Sequence, residues 1–222
     1  LNDAAHAFNR MLFALRWFET YVPRTLVRRM VRHGDAEHLR SAEREVSVLF
    51  TDIEGFTRLS EAMSAEEVAG FLNVHFAVMS RCIEEEGGAI DKYTGDGLMA
   101  FWGAPDDASD HAGRAVRAAL AIRRAVSERA GSPRIRIGIH TGPAVAGNIG
   151  GADRLNYTIV GDTVNIAARL EGACKTLVEP GEGVAILISE ATARRLPGDV
   201  ARRELGARDL PGRSEKVRVF SV

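Results

Sequence analysis

Two aspartates stand at points in the chain where backbone can approach a ligand closely. Asp52 ends an alternating apolar run, Val46, Val48 and Phe50, and is followed by the turn Ile53-Glu-Gly-Phe-Thr57; Asp96 lies in the glycine-flanked turn Thr94-Gly-Asp-Gly97. Hard cations such as Mg2+ prefer a few carboxylates plus substrate phosphates to a full protein cage, so the pair fits metal-assisted phosphate chemistry. The turn after Asp52 adds main-chain N–H groups leading into a helix start, which suit a polyphosphate. Each residue also has a plainer reading. A strand-end aspartate most often turns or caps the chain, Asp-Gly is a standard hairpin signal, and Glu54 reads as a solvated turn residue.

Asn165 and Arg169 lie four apart in a helical stretch and share a face, with Ile166 and Leu170 pointing elsewhere. An arginine's planar fork of donors matches phosphate oxygens and the charge that develops on a transferring phosphoryl group. The alternative is a surface arginine paired with Glu171 or another neighbour, and spacing leaves both open.

The elements that must position these residues are legible from periodicity. Phe8, Met11, Leu12, Leu15, Phe18 and Val22 recur at three- and four-residue steps, as on one helix face. Pro23 is expected to kink or restart that helix, and Gly34-Asp35 to end it. Residues 1–43 are therefore predicted to be a helical lead-in. It could pack on its own domain, pair as a short coiled segment or lie on a membrane surface. A strand is predicted from Glu45, and a helix from about Ser64 to Glu86, opened by the capping-box pair Ser64 and Glu67. Strands at 89–93 and 98–102 form a hairpin; a helix spans 107–130. Strands at 135–140 and 144–149 are separated by a turn at Thr141-Gly-Pro143. Asp162 is read as the N-cap of a helix to about Ala173. A strand at 184–188, a short helix at 189–195 and strands near 202–208 and 215–222 complete an α+β sandwich, with helices on a mixed or antiparallel sheet.

At 222 residues and 45% hydrophobic, the chain can bury one sizeable core, so one domain, residues 44–222, plus the lead-in is expected. Lys plus Arg (29) nearly balances Asp plus Glu (30), which argues against nucleic acid as a bulk electrostatic partner. Cys82 and Cys174 have no metal-site or CxxC spacing, as expected for a reducing cytoplasm. No apolar run approaches the ~20 residues that span a bilayer, and no signal-peptide pattern is seen. The start at Leu1, inside a helical pattern, suggests an upstream sensory or membrane region beyond this sequence.

Four ordered stretches then stand out: Val48-Leu-Phe-Thr-Asp-Ile-Glu-Gly-Phe-Thr57, Ile90-Asp-Lys-Tyr-Thr-Gly-Asp-Gly-Leu-Met-Ala-Phe101, Arg136-Ile-Gly-Ile-His-Thr-Gly-Pro143 with Ala146-Gly147, and Tyr157-Thr-Ile-Val-Gly-Asp-Thr-Val-Asn-Ile-Ala-Ala-Arg-Leu-Glu171. Together they resemble class III adenylyl and guanylyl cyclases, over residues 45–222. The resemblance implies a ferredoxin-like core and conversion of a nucleoside triphosphate to a cyclic nucleotide and pyrophosphate. It implies that Asp52, Asp96 and the carbonyl of Ile53 bind two divalent cations, Mg2+ or Mn2+. One would acidify the ribose 3′-hydroxyl and the other hold the β- and γ-phosphates. Gly55, Phe56 and Thr57 would meet the triphosphate, Asn165 would orient the ribose, and Arg169 would stabilise charge at the α-phosphorus.

Lys92 and Thr158 match the positions that read the purine. Lysine there resembles adenylyl cyclases, since an ammonium can donate to adenine N1, whereas guanylyl cyclases place glutamate. ATP is thus favoured. Thr158 resembles a subgroup with threonine or serine in place of aspartate, which includes bicarbonate-responsive enzymes. Where many members carry a triphosphate lysine, this chain has Pro211 in Leu210-Pro-Gly-Arg-Ser214; Arg213 is the expected substitute, with Arg208 as alternative. Family geometry implies a homodimer in which Asp52 and Asp96 from one chain face Lys92, Thr158, Asn165 and Arg169 from the other. A guanylyl cyclase and a catalytically silent nucleotide-binding regulatory module are the competing readings.

Overall fold

A computed structural model of the chain describes residues 6, 8–13, 41–129, 131–151, 154–178 and 183–222. The chain divides into two compact units, Leu1–Arg40 and Ser41–Val222. In the first, His6 and residues 8–13 are helical, and Phe8, Met11, Leu12 and Phe13 are exposed on it. The expected kink at Pro23 and stop at Gly34 lie outside the described residues.

The second unit runs β1 (Ala42–Ile53), α1 (Phe56–Ser60), α2 (Ala65–Glu85), β2 (Ala89–Thr94), β3 (Gly97–Trp102), α3 (His111–Ser127), β4 (Ile135–Gly151), β5 (Arg154–Val160), α4 (Asp162–Leu177), β6 (Val184–Ser189), α5 (Glu190–Ala193), β7 (Arg203–Arg208) and β8 (Val217–Ser221). The strands form one eight-stranded mixed sheet, ordered β2-β3-β1-β4-β6-β8-β7, with β5 on the far part of β4. Only β4 and β6 pair in parallel among these neighbours.

Strand alternation sorts side chains between two cores. Leu49 on β1, Ile135, Ile137 and Ile139 on β4, and Ile186 and Ile188 on β6 pack with Met79 and Ile83 of α2 and Ala115, Ala119 and Ile122 of α3. The neighbours Ala185 and Leu187 pack on the other face with Ile166, Leu170 and Cys174 of α4. Burying each large aliphatic side chain here contributes about 1.5–3 kcal/mol. The sheet is thereby a middle layer, with α2 and α3 on one side and α4 on the other.

α2 starts as its sequence requires. The Ser64 hydroxyl accepts from the Glu67 N–H at 3.3 Å, and the Glu67 carboxylate accepts from the Ser64 N–H at 2.8 Å. α4 lies tightly on β4: a Cβ on Gly138 would come within 2.1 Å of the Glu171 nitrogen and 2.4 Å of the Ala167 oxygen. Gly138→Ala must therefore lift α4 off the sheet. We expect a loss of about 3 kcal/mol, measured as a lowered urea midpoint; an unchanged midpoint would contradict this packing.

Several expectations are corrected. β1 begins at Ala42, because residues 42–46 pair with residues 142–146 of β4. The turn expected at Thr141-Gly-Pro143 is absent: Gly142 has no positive φ to reverse the chain, and β4 continues through it to Gly151. The helix expected over 107–130 starts at His111 and ends at Ser127. Asp162 does not cap α4, since Gly161 holds that position without a side-chain bond.

A chain of buried polar side chains crosses the sheet. His111 Nδ1 meets the Ser47 hydroxyl at 2.9 Å, Ser47 meets Thr141 at 2.7 Å, Thr141 meets Thr192 at 3.0 Å, Thr192 meets Ser189 at 3.2 Å, and Ser189 meets His140 Nδ1 at 2.7 Å. Burial, reinforced by the charge of Arg213 and opposed by Asp162, lowers His140 from its ordinary 6.5 to about 4. Because the folded value is depressed, the neutral ring stabilises the fold above pH 6.5, and that contribution drains away as pH falls from 6.5 towards 4. His140→Gln should retain a polar partner for Ser189 yet lose about 2 kcal/mol less between pH 7 and pH 5 than wild type. Urea midpoints at the two pH values check this, and equal losses would refute it.

Candidate active site

The local chain geometry brings the two aspartates together. Thr94 pairs with Gly97, leaving Gly95 and Asp96 as a two-residue loop, and Gly95 takes the positive φ (68°) that such a hairpin needs at its first loop position. Gly97 has no room for a side chain, since its Cβ would stand 2.0 Å from the Thr51 oxygen. This contact seats the hairpin tip on the end of β1, where the Ile53 N–H donates to Asp96 Oδ2 at 3.3 Å. Asp52, Ile53, Gly55, Phe56, Thr57 and Asp96 all line one open cleft of about 670 Å³.

Four further residues line the cleft: Glu54, read from the sequence as a solvated turn residue and here 3.2 Å from Arg134, and Arg136, Glu171 and Lys175. Arg136 stands opposite Asp52 in the β1–β4 register, is 5% exposed, pairs with the Asp52 carboxylate and donates through Nε to Glu171 at 2.8 Å. Glu171, one of the neighbours considered as a partner for Arg169, is thus engaged by Arg136. Burial raises the Asp96 carboxyl pKa, and the neighbouring Asp52 charge raises it further. Glu171 is raised by the same two causes in the same order. For Arg136, burial favours the neutral form but Glu171 and Asp52 outweigh it, so its pKa rises.

Four lining carboxylates, Asp52, Glu54, Asp96 and Glu171, against Arg136 and Lys175 leave excess negative charge facing the cleft. That electrostatic deficit fits a hard divalent cation held by one or two carboxylates and a carbonyl. No cluster of three or more His, Cys, Asp or Glu side chains suited to a metal occurs among the described residues, so phosphate and water would have to complete the shell. The turn offers fewer N–H groups than its sequence suggested: Ile53 donates to Asp96, and Glu54 to the Arg134 carbonyl at 2.8 Å.

The other expected site residues lie outside this cleft. Lys92 is half exposed, with Nζ 3.0 Å from the buried Asp91 carboxylate. Thr158 is buried, and its hydroxyl has no hydrogen-bond partner. Asn165 is exposed and Arg169 half-buried on α4, whose apolar face holds Ile166 and Leu170 against the sheet. Arg213 pairs with Asp162, while its Nε is buried without a partner. Pro211 is exposed. No helix among the described residues is long and apolar enough to cross a membrane.

Known proteins share this fold and much of this sequence. The chain is 38% identical over 224 residues to Adenylate cyclase 1 of Rhizobium meliloti, covering 97% of this chain and 33% of that protein. It is 34% identical over 233 residues to an adenylate cyclase of Anabaena cylindrica, covering 97% of this chain and 44% of that protein. The chain therefore spans between a third and a half of the length of these relatives. Among solved structures, the adenylyl cyclase CyaB from P. aeruginosa matches with a TM-score of 0.74 and 34% identity, over 83% of this chain and 96% of that one. The guanylate cyclase domain of RhGC from Catenaria anguillulae, solved in complex with GTP, matches with a TM-score of 0.72 and 30% identity, over 82% of this chain and 97% of that one. The family model for the adenylate and guanylate cyclase catalytic domain matches residues 40–221, and the chain belongs to that family.

Proposed function

We propose that this chain is an adenylyl cyclase, which converts ATP to 3′,5′-cyclic AMP and pyrophosphate at sites shared across a homodimer. The observation that carries the reading is the division of the site: the cleft gathers Asp52, Ile53 and Asp96, while Lys92, Thr158, Asn165 and Arg169 lie outside it. A second copy supplying those residues to the cleft would complete it, and each homodimer would hold two equivalent sites.

In this reading Asp52, Asp96 and the Ile53 carbonyl hold two divalent cations, Mg2+ or Mn2+. When bound, these supply acidification of the attacking 3′-hydroxyl and neutralisation of phosphate charge. Gly55, Phe56 and Thr57 line the space for the triphosphate, and Arg213 from across the interface is its basic partner. Lys92 donates to adenine N1, and Thr158, whose buried hydroxyl has no partner within the chain, is the second residue assigned to the base edge. Asn165 orients the ribose, and Arg169 stabilises charge at the α-phosphorus as the ring closes. Arg136 acts within the chain, holding the Asp52 and Glu171 carboxylates in place.

The test is product analysis with ATP and with GTP, each with Mn2+ or Mg2+. Cyclic AMP from ATP is the expected result. Cyclic GMP alone would establish a guanylyl cyclase instead, and no product from a folded dimer would establish a silent nucleotide-binding module. Signal transduction through residues 1–43 belongs to the same proposal, and fails if deleting them alters neither dimerisation nor rate. Bicarbonate stimulation, suggested by Thr158, fails if turnover at fixed pH stays level across a bicarbonate series.

A further inference from the structure

A cavity of about 380 Å³ opens between α2 and the segment joining α3 to β4, and it shares no lining residue with the cleft of Asp52 and Asp96. Its volume lies within the range of about 300–1,000 Å³ in which small-molecule sites occur. Phe71, Val78 and Met79 of α2 and Ile135 of β4 give it apolar walls, and Val74, 49% exposed, stands beside them. Phe71, His75 and Val78 follow at steps of four and three residues, which places them on one face of α2.

Two other lining residues carry polar chemistry. His75 is only 7% exposed, and its Nε2 is buried without a hydrogen-bond partner. A buried donor or acceptor left unsatisfied costs about 1–3 kcal/mol, so the unpaired nitrogen is a reason for something to bind. Rings on both sides fix it: Phe71 stacks on His75 at 6.2 Å and 10°, and Phe76 meets it edge-on at 5.6 Å and 63°. Arg129, exposed at the end of α3, lines the same cavity. Burial, assisted by the Arg129 charge, pushes His75 down to about 4, so the ring is neutral near pH 7.

We propose that this cavity binds a small amphipathic carboxylate, with its apolar chain against Val78, Met79 and Ile135 and its oxygens accepting from His75 Nε2–H and Arg129. One neutral N–H and one guanidinium match a monoanion with two acceptor oxygens. The imidazole is then in its Nε2–H tautomer. Occupancy reaches the cleft through contacts already made: Phe71 also stacks on Phe56, a cleft residue, at 6.2 Å and 25°, and Ile135 stands opposite Ile53 in the β1–β4 register.

Binding is independent of the cyclase reading and is measured without turnover. The full chain is titrated calorimetrically with octanoate and with octanol. We expect saturable binding of one octanoate per chain, with octanol at least about tenfold weaker. Arg129→Gln and His75→Phe should each weaken octanoate about tenfold. Val74→Glu, at an exposed position that tolerates polarity, should weaken it similarly by repulsion while leaving octanol unchanged. The proposal is overturned by the absence of saturable binding up to about 5 mM, by equal affinity for octanoate and octanol, or by octanoate affinity that is indifferent to Arg129→Gln and Val74→Glu.

Discussion

An Asp96→Ala chain mixed with an Arg169→Ala chain should regain about a quarter of the wild-type ATP turnover, although each alone should be reduced about a thousandfold. The loss has a different origin in each. Without Asp96 the cleft keeps Asp52 but loses the second carboxylate from the hairpin tip; without Arg169 the metal-binding residues are intact and α4 offers no guanidinium. In a heterodimer one site inherits both lesions and the other inherits neither. Random pairing makes about half the dimers heterodimeric, and each holds one working site of two, which gives the quarter. Verified heterodimers that remain inactive would refute a site shared between chains. The folding of each variant is checked separately, since Asp96 also accepts from the Ile53 N–H.

The second large effect is expected at Lys92. Lys92→Glu should lower kcat/KM for ATP about a thousandfold and move the ATP-to-GTP preference at least about a hundredfold towards GTP. An ammonium donates to adenine N1, whereas a carboxylate meets that acceptor with a second acceptor and matches the guanine N1–H. In this chain the substitution has an added penalty: Lys92 Nζ lies 3.0 Å from Asp91, so glutamate would set two carboxylates side by side. Lys92→Gln separates the effects, because it removes the donor charge without adding repulsion. Measured kcat/KM for both nucleotides decides the matter. A change in ATP kcat/KM below about tenfold in both variants would remove residue 92 from base recognition.

Much of the fold could be read from local pattern. The α2 capping box and the Gly-Asp hairpin are written in adjacent residues, and the structure forms both. Thr141-Gly-Pro143 looked like a turn because glycine and proline usually punctuate a strand. Yet Pro143 stands opposite Glu45 within a continuous ladder. The segment Arg154–Val160, not read as a strand from the sequence, is β5 and pairs with residues 145–151, most of which lie in the strand expected at 144–149.

The site divides in the same way. Asp52 and Asp96 were legible because each sits beside glycine at an element's end. Arg136 was not, because its partners Asp52 and Glu171 are far away in sequence. A signal did exist: Arg136 interrupts the inward row Ile135, Ile137 and Ile139, so it had to face the other side of the sheet, where α4 lies. A charged residue on the buried α4 face demanded a partner. Lys175 carried no comparable signal, since a helical lysine is usually a solvated one.

The polar chain from His111 to His140 obeys a proton count. Its five links need five hydrogens, and the four hydroxyls of Ser47, Thr141, Thr192 and Ser189 supply one each. At least one imidazole must therefore donate through Nδ1. Where one Nδ1 donates and the other accepts, the four hydroxyls between them all point the same way, and an exchange of the two roles reverses every one of them.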